Sequence, residues 1–390
     1  MTHEIVLAPA ARRQIQTRHP WIYRDLIASG EAPAGALVRV VDSNRRPLGI
    51  AAWSPISRIA LRFLSLDPKA EDPSSESLRE NFRLAVRRRR PLEELTDAIR
   101  LVSSEADRLP GLIVDRYAQV VVVQALTPFA ELLLPELLEW ILELEGVEAV
   151  VARNDSSVRE LEGLPREVRF LSGRRSGEVI VREGGLRLSV DPFEGQKTGL
   201  FLDQRANRLE LRRLVEPGER VLDAFSYTGG FALQAALAGA EVVAVDDSAR
   251  AVAQISKNAE LNGLASVQAR KDNAFKLLRA QLEAGEQYDV VVLDPPAFAK
   301  NRRDREGALR GYREINVRAL RLLRPGGLLV TASCSYHVDE QSFEQMLRRA
   351  AADARRDPVL IGRGGQDLDH PVLLSLPESR YLKCLFLRVP

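Results

Sequence analysis

From about residue 185 onward, short runs built wholly of aliphatic residues alternate with segments whose apolar positions recur at helical spacing. The runs are Val221-Leu222, Val242-Val243-Ala244-Val245, Val290-Val291-Val292-Leu293 and Leu328-Leu329-Val330. A strand with no polar alternation must be covered on both faces, so this pattern predicts a doubly wound, mostly parallel sheet with helices on each side. The fold class expected is therefore α/β, and ligands in such a fold bind where strand ends meet helix starts.

The rest of the chain reads differently. Residues 1–70 alternate short apolar runs with Gly, Pro and Asp-Ser-Asn breaks, which predicts a small β-rich module. A polar stretch at 67–77 separates it from a region, residues 75–184, with strands at 98–102 and 118–126, a helix at 130–145 and a strand at 147–152. That is an α+β middle domain, followed by the α/β domain at 185–390. A length of 390 residues agrees with two or three domains. No run approaches the ~20 apolar residues of a membrane span, and the first residues lack the charged and apolar regions of a signal peptide, so a cytoplasmic protein is expected. Two cysteines, Cys334 and Cys384, with four scattered histidines, give neither a disulfide framework nor a metal site.

Net charge is only +2, but the basic residues clump at Arg87-Arg88-Arg89-Arg90, at Arg174-Arg175, and at Lys300-Asn301-Arg302-Arg303 leading to Arg310 and Arg313. Guanidinium groups fit phosphate oxygens and stack on bases, so these clusters suit a nucleic-acid surface. The plainer reading of each is a solvated helix face.

The candidate site starts where Arg220-Val221-Leu222-Asp223-Ala224-Phe225 runs into Ser226-Tyr227-Thr228-Gly229-Gly230-Phe231. A glycine turn between strand and helix lets backbone N–H groups approach a ligand. It is neither a dinucleotide fingerprint nor a P-loop. The next strand ends in Asp246, where a carboxylate can accept both hydroxyls of a ribose; the third leads to Asp272-Asn273, either of which could face an adenine amino group. Together these form a nucleoside pocket, unless Asp223 and Asp246 only cap neighbouring helices. The fourth strand ends in Asp294-Pro295-Pro296-Ala297-Phe298, whose stiffened exit suits a flipped base. The fifth delivers Cys334 to the same edge. Carbon 5 of a pyrimidine does not take a methyl group from a sulfonium until a nucleophile adds at carbon 6, and a thiolate does this well. Asp294 could hydrogen-bond nitrogen 3 and offset the charge that develops. The plainer reading of Cys334 is a small packed residue; Cys384, inside Leu382-Lys383-Cys384-Leu385, reads as inert core, and His337 as either a proton carrier or a structural histidine.

Four segments carry a resemblance: Gln196-Lys197-Thr198-Gly199-Leu200-Phe201-Leu202-Asp203-Gln204-Arg205, the run from Asp223 to Phe231, Asp294-Pro295-Pro296-Ala297-Phe298, and Ser333-Cys334-Ser335. In these the chain resembles bacterial large-subunit (23S) ribosomal RNA cytosine-5 methyltransferases with an amino-terminal PUA domain. The resemblance implies a PUA-like RNA-binding domain, the middle domain, and a Rossmann-like class I methyltransferase domain. Its implied cofactor is S-adenosyl-L-methionine, bound by Phe201, Asp203, Gln204, Arg205, Asp223, Phe225, Tyr227, Thr228, Gly229, Asp246, Ser248, Asn258, Asp272 or Asn273, and Asp294. It implies Cys334 and Asp294 as catalytic residues and ribosomal RNA as partner, contacted by Lys197, Arg205, Pro296, Phe298 and Lys300; homologues of this architecture form homodimers. Related enzymes place a second cysteine where Pro296 stands, so release needs another base, and Asn273 stands where a second acid is expected. Two other readings stay open. The Asp-Pro-Pro loop also resembles that of enzymes methylating exocyclic amines, which would not need Cys334, and a non-catalytic RNA-binding assembly factor would transfer nothing.

Overall fold

The computed structural model describes residues 3–71, 74–174, 177–193, 199–299 and 302–390. By internal contacts the chain forms two compact units, one of residues 1–181, 190–200 and 368–379, the other of residues 182–189, 201–367 and 380–390.

In the first unit, Trp21–Tyr23, Ile59–Ser65, Pro47–Trp53, Leu37–Val41, His3–Leu7 and Ile27–Ser29 lie side by side in that order. Only the pairing of His3–Leu7 with Leu37–Val41 is parallel; the others run antiparallel. Alternate residues turn inward, so Ile5, Leu7, Ile22, Val38, Val40, Ala51, Leu61 and Phe63 make one core.

A second sheet holds Glu167–Ser172, Ala149–Asn154, Val120–Ala125, Leu112–Tyr117 and Ala98–Ser103. Helices Ser75–Arg89 and Pro128–Leu142 cover it, burying Leu78, Phe82, Leu133, Leu137, Trp140 and Ile141. The second helix starts where Thr127 accepts from the Ala130 N–H and Pro128 fixes the first turn. Arg62, on the first sheet, forms ion pairs with Glu105, in the turn after strand Ala98–Ser103, and with Glu162, at the end of helix Val158–Leu161, both 2.9 Å long. The sequence pattern predicts one strand at 118–126 here, but the structure has a hairpin in which Ala118, at φ 50°, turns the chain. Leu112–Tyr117 escapes an apolar search because it carries Asp115, which is fully buried yet satisfied by both arms of Arg100 on the adjacent strand.

The second unit contains the sheet anticipated from the aliphatic runs. Its strands are β1 (Arg220–Asp223), β2 (Glu241–Asp246), β3 (Val267–Lys271), β4 (Tyr288–Leu293), β5 (Leu323–Ser333), β6 (Val359–Gly364) and β7 (Lys383–Arg388). The order is β3-β2-β1-β4-β5-β7-β6, parallel except for β7, which runs against both neighbours. β4 shows why the runs are unbroken. Val290 and Val292 pack with Leu211, Phe231 and Ile255 on one face, while Val291 and Leu293 pack with Leu277, Tyr312 and Phe343 on the other. Burying each such side chain contributes roughly 1.5–3 kcal/mol. Because β1 lies between β2 and β4, the order reverses there and a crevice opens at the carboxyl ends of β1 and β4. The excursion of residues 368–379, between β6 and β7, into the first unit is not visible in the apolar pattern.

Candidate active site

Asp223 ends β1 fully buried. Its Oδ2 accepts from the Ser226 hydroxyl at 2.7 Å and from the Ala232 N–H at 3.1 Å, in the first turn of helix Gly230–Leu237. The capping role is thus real, but it uses one oxygen only: Oδ1 is buried with no hydrogen-bond donor among the described residues. Burial, reinforced by the nearby charge of Asp246, pushes the carboxyl up to about 6. A buried acceptor left over in this way is what a ligand's N–H or O–H would complete.

The turn that follows is shaped to admit a ligand. Tyr227 and Gly229 adopt left-handed backbone, at φ 50° and 91°. A Cβ on Gly230 would lie 2.7 Å from Cδ of Arg208, whose guanidinium is fixed by Glu183 at 2.7 and 2.6 Å. Asn258, fully buried, donates to the Thr228 carbonyl at 3.1 Å and accepts from the Ser189 N–H, so it supports the turn from behind. Phe201 packs edge-on against Tyr227, 5.0 Å between ring centres.

At the end of β2, Asp246 accepts from the Tyr227 N–H through Oδ2 and from the Ser248 N–H through Oδ1, each at 2.9 Å. Ser248 in turn caps helix Ala249–Leu261. Two backbone donors orient the carboxylate that the ribose hydroxyls would meet. Asn273 uses its carbonyl oxygen to cap helix Ala274–Glu283, and Asp272 binds Arg270 at 2.8 Å. The free buried oxygen of Asp223, the oriented Asp246 and the glycine turn that follows Asp223 fit a nucleoside-containing cofactor.

The segment before β1 is tied to its neighbours by side-chain contacts. Gln204 bonds Asn207 at 2.5 Å, and Asp203 accepts from the Tyr381 hydroxyl at 2.7 Å. The resemblance has Arg205 reaching RNA, yet it is fully buried, with Asp367 at 2.7 Å and Glu183 at 3.6 Å. An enclosed guanidinium between two carboxylates cannot meet a phosphate, so its assignment as an RNA contact is corrected. Arg89 leaves the basic cluster for the same reason: it is buried in a two-armed pair with Asp107, both contacts 2.7 Å. Arg87, Arg88, Arg90, Arg174, Arg303, Arg310 and Arg313 are exposed, and Arg313 pairs with Asp353. Lys197, Lys300, Arg175 and the start of the Gln196-Lys197-Thr198 motif lie outside the described residues.

Asp294 and Cys334, both half-buried, follow the carboxyl ends of the adjacent parallel strands β4 and β5. Pro296 is exposed, whereas Phe298 sits in a row of rings, 5.8 Å from Phe275 and 4.6 Å from Tyr312. The residues on either side of Cys334 are pinned. The Ser333 hydroxyl donates to the Tyr312 hydroxyl at 3.0 Å, which bonds the Ser335 hydroxyl at 2.9 Å. Lys383, at the start of β7, is buried and donates to the carbonyls of Ser335 and Tyr381, each at 2.8 Å. Burial pushes its ammonium down to about 8, against the opposing pull of Cys334, Asp339 and Glu340. The sequence reading missed both Tyr312 and Lys383. A lysine inside Leu382-Lys383-Cys384-Leu385 was the available signal for the second. Cys384 is core, its thiol pushed well above the ordinary range by burial.

Comparison with known proteins gives the family and its domains. Residues 153–355 match the family model of S-adenosylmethionine-dependent methyltransferases, and residues 5–66 that of a PUA-like domain. The chain is 38% identical over 396 residues to ribosomal RNA large subunit methyltransferase I of Erwinia tasmaniensis, covering all of both chains. It is 39% identical over 399 residues to the protein of that name from Shewanella denitrificans, again covering both fully. Among solved structures, an S-adenosylmethionine-dependent methyltransferase from Streptococcus mutans superposes with a TM-score of 0.84 at 21% identity, over 100% of each chain, which shows a shared fold. With a PUA-like domain in front of an S-adenosylmethionine-dependent catalytic domain, and relatives alike from end to end, this chain belongs to the ribosomal RNA large subunit methyltransferase I family.

Proposed function

We propose that the protein methylates carbon 5 of a cytosine in large-subunit ribosomal RNA, with Cys334 as nucleophile. The observation carrying this reading is a half-buried cysteine at the carboxyl end of β5, beside the Asp294 loop that ends β4. The names of the relatives support the substrate class. Bound S-adenosylmethionine supplies the methyl group as a sulfonium electrophile. Its holders are the free oxygen of Asp223, the carboxylate of Asp246 and the turn from Ser226 to Gly229, with Asp272 beside them.

The Cys334 thiolate forms a bond to carbon 6, and the C5–C6 π pair shifts toward carbon 5. Asp294, as the carboxylic acid, donates to nitrogen 3 and so offsets the negative charge on the ring. After carbon 5 has taken the methyl, a base removes its proton, the electron pair reforms the double bond, and Cys334 departs as thiolate. A cytosine inside a helix cannot reach these groups and must be flipped out. The exposed arginines 87, 174, 303 and 310 hold phosphates, and a ribosomal substrate places the enzyme in the cytoplasm. The exocyclic-amine reading needs the ring of Phe298 to stack on the base; here that ring packs against Tyr312.

The test is transfer of labelled methyl from S-adenosylmethionine to unmodified 23S ribosomal RNA, comparing the native protein with Cys334→Ala and locating the product by mass spectrometry. The expected result is 5-methylcytosine from the native protein and none from the variant, which still binds cofactor. Methyl on an exocyclic nitrogen, or an active variant, refutes the reading.

A further inference from the structure

β4 and β5 pair as far as Leu293 and Thr331, and beyond those residues side chains tie the two strand exits together. The hydroxyl of Ser335, a fully buried residue, accepts from the Ala299 N–H at 3.4 Å and bonds the Tyr312 hydroxyl at 2.9 Å. The Ser335 N–H donates to the Ser333 hydroxyl at 3.3 Å, and that hydroxyl donates to the same Tyr312 oxygen at 3.0 Å. Through Tyr312, helix Arg305–Leu322 thus holds both the segment that carries Cys334 and the end of the loop that begins with Asp294.

The bulkiest side chain of that loop is Phe298, and its seat is specific. The ring lies 4.6 Å from the Tyr312 ring and 5.8 Å from Phe275, in the first turn of helix Ala274–Glu283. It also lies over Gly311. A Cβ on Gly311 would find its three nearest atoms all in this ring, Cδ2 at 3.3 Å, Cε2 at 3.5 Å and Cγ at 4.0 Å. Glycine is disfavoured within a helix because it gives up more backbone freedom there than alanine does. Gly311 stands inside helix Arg305–Leu322 all the same, and the Phe298 ring packs where its side chain would begin. Phe298 is half-buried, so its part in the reaction turns on which partner holds the ring, the protein or the base.

We propose that Phe298 is a positioning residue: its ring, seated on Gly311 and Tyr312 and not on the substrate base, fixes the course of residues 294–298 and so sets where Asp294 stands relative to the segment that carries Cys334. The inference rests on the reading in which Asp294 and Cys334 act on one base. Pro295 and Pro296 stiffen the loop between Asp294 and Phe298, so a displacement of the ring is carried back toward Asp294 instead of being absorbed. Reacting groups tolerate little such movement, since a misplacement of about 1 Å can cost about 10²-fold in rate. A Cβ at position 311 would push the ring by a few tenths of an ångström. On that scale the loss is roughly four- to tenfold.

The test is single-turnover methyl transfer to 23S ribosomal RNA by the full-length protein at saturating cofactor and RNA, with RNA affinity measured in parallel by filter binding. Gly311→Ala puts the better helix former into the helix, so folding stability should not fall and RNA affinity should not change, while transfer slows roughly four- to tenfold. Phe298→Ala is expected to slow transfer at least as much, again at unchanged RNA affinity. Adding Gly311→Ala to Phe298→Ala is expected to cost nothing more, because the new methyl acts through the ring. A Gly311→Ala protein of native rate overturns the proposal whether or not Phe298→Ala folds, and so do two losses that simply multiply. Phe298→Ala that binds RNA about fivefold or more weakly reveals a ring stacked on a base and overturns it too. Methyl on an exocyclic nitrogen, with the coupled slowing intact, removes the carbon-5 reading and keeps the positioning role. 5-Methylcytosine that depends on Cys334, with a silent Gly311→Ala, does the opposite.

Discussion

Replacing Asp223 with asparagine separates what this residue does for the fold from what it does for the ligand. Burial moves its carboxyl from 3.8 to about 6, a displacement of about two units, and at about 1.4 kcal/mol per unit the ionised form costs the native state about 3 kcal/mol at neutral pH. The group is fully buried, so no solvent screening reduces this. The sign follows from the raised value. The folded state binds the proton more tightly than the unfolded state, so this contribution is fully present below about 4 and is lost as pH rises through about 6. Between pH 5 and pH 8 the native protein should therefore lose about 1–2 kcal/mol of stability through Asp223 alone. The asparagine side chain keeps an oxygen for Ser226 and the Ala232 N–H and carries no charge, so the Asp223→Asn variant should not show that loss. Urea denaturation at the two pH values measures the difference directly. Calorimetric titration with S-adenosylmethionine then reads the other role. Losing a charged acceptor worth about 1.5–3 kcal/mol should weaken binding roughly 10- to 100-fold. Parallel pH dependences in the two proteins would refute the burial argument, and undiminished affinity would refute the view that the free oxygen of Asp223 meets the ligand.

Asp246→Ala removes the acceptor held by Tyr227 and Ser248; cofactor affinity should fall about tenfold or more by the same titration, and an unchanged value would show that the ribose lies elsewhere. Arg89→Ala removes the two-armed buried partner of Asp107, leaving it the half-exposed Arg88 and the Ser103 N–H, and should cost up to about 3–5 kcal/mol in urea denaturation, whereas Arg88→Ala should cost less than ~1 kcal/mol; equal losses would contradict the burial assignment. Tyr312→Phe takes the shared partner from the buried Ser333 and Ser335 hydroxyls and should cost about 1–3 kcal/mol while leaving cofactor affinity unchanged, a pattern that a folding assay and calorimetry together would establish or exclude.

The second unit's sheet was legible because aliphatic runs such as Val290-Val291-Val292-Leu293 must be covered on both faces, and the acids that follow them fall at its carboxyl edge, as their positions imply. What stayed hidden was everything satisfied by a distant partner. Asp115 breaks the pattern of its strand because Arg100 neutralises it, and Arg205 looks like a surface cation because Glu183 and Asp367 are remote in sequence. Lys383 and Tyr312 were passed over for a related reason: one reads as noise in a strand and the other as core in helix Arg305–Leu322, and only tertiary structure brings them to Ser333 and Ser335, on either side of Cys334. Local spacing reports on faces and edges; it carries nothing about which charge answers which.

The assignment of residues 368–379 to the first unit has a consequence for how the chain is made. Ribosomes release the amino terminus first, and domains ordinarily begin to fold as they emerge. This first unit cannot finish then. The Arg100 N–H waits for the carboxylate of Asp369, Arg89 for the Asp369 carbonyl, and His19 for Glu378. Nearly the whole catalytic sheet is synthesised in between, with only its last strand still to come. No single cut in the gene yields a fragment containing all of either unit and nothing else, and the amino-terminal unit, although made first, is completed almost last.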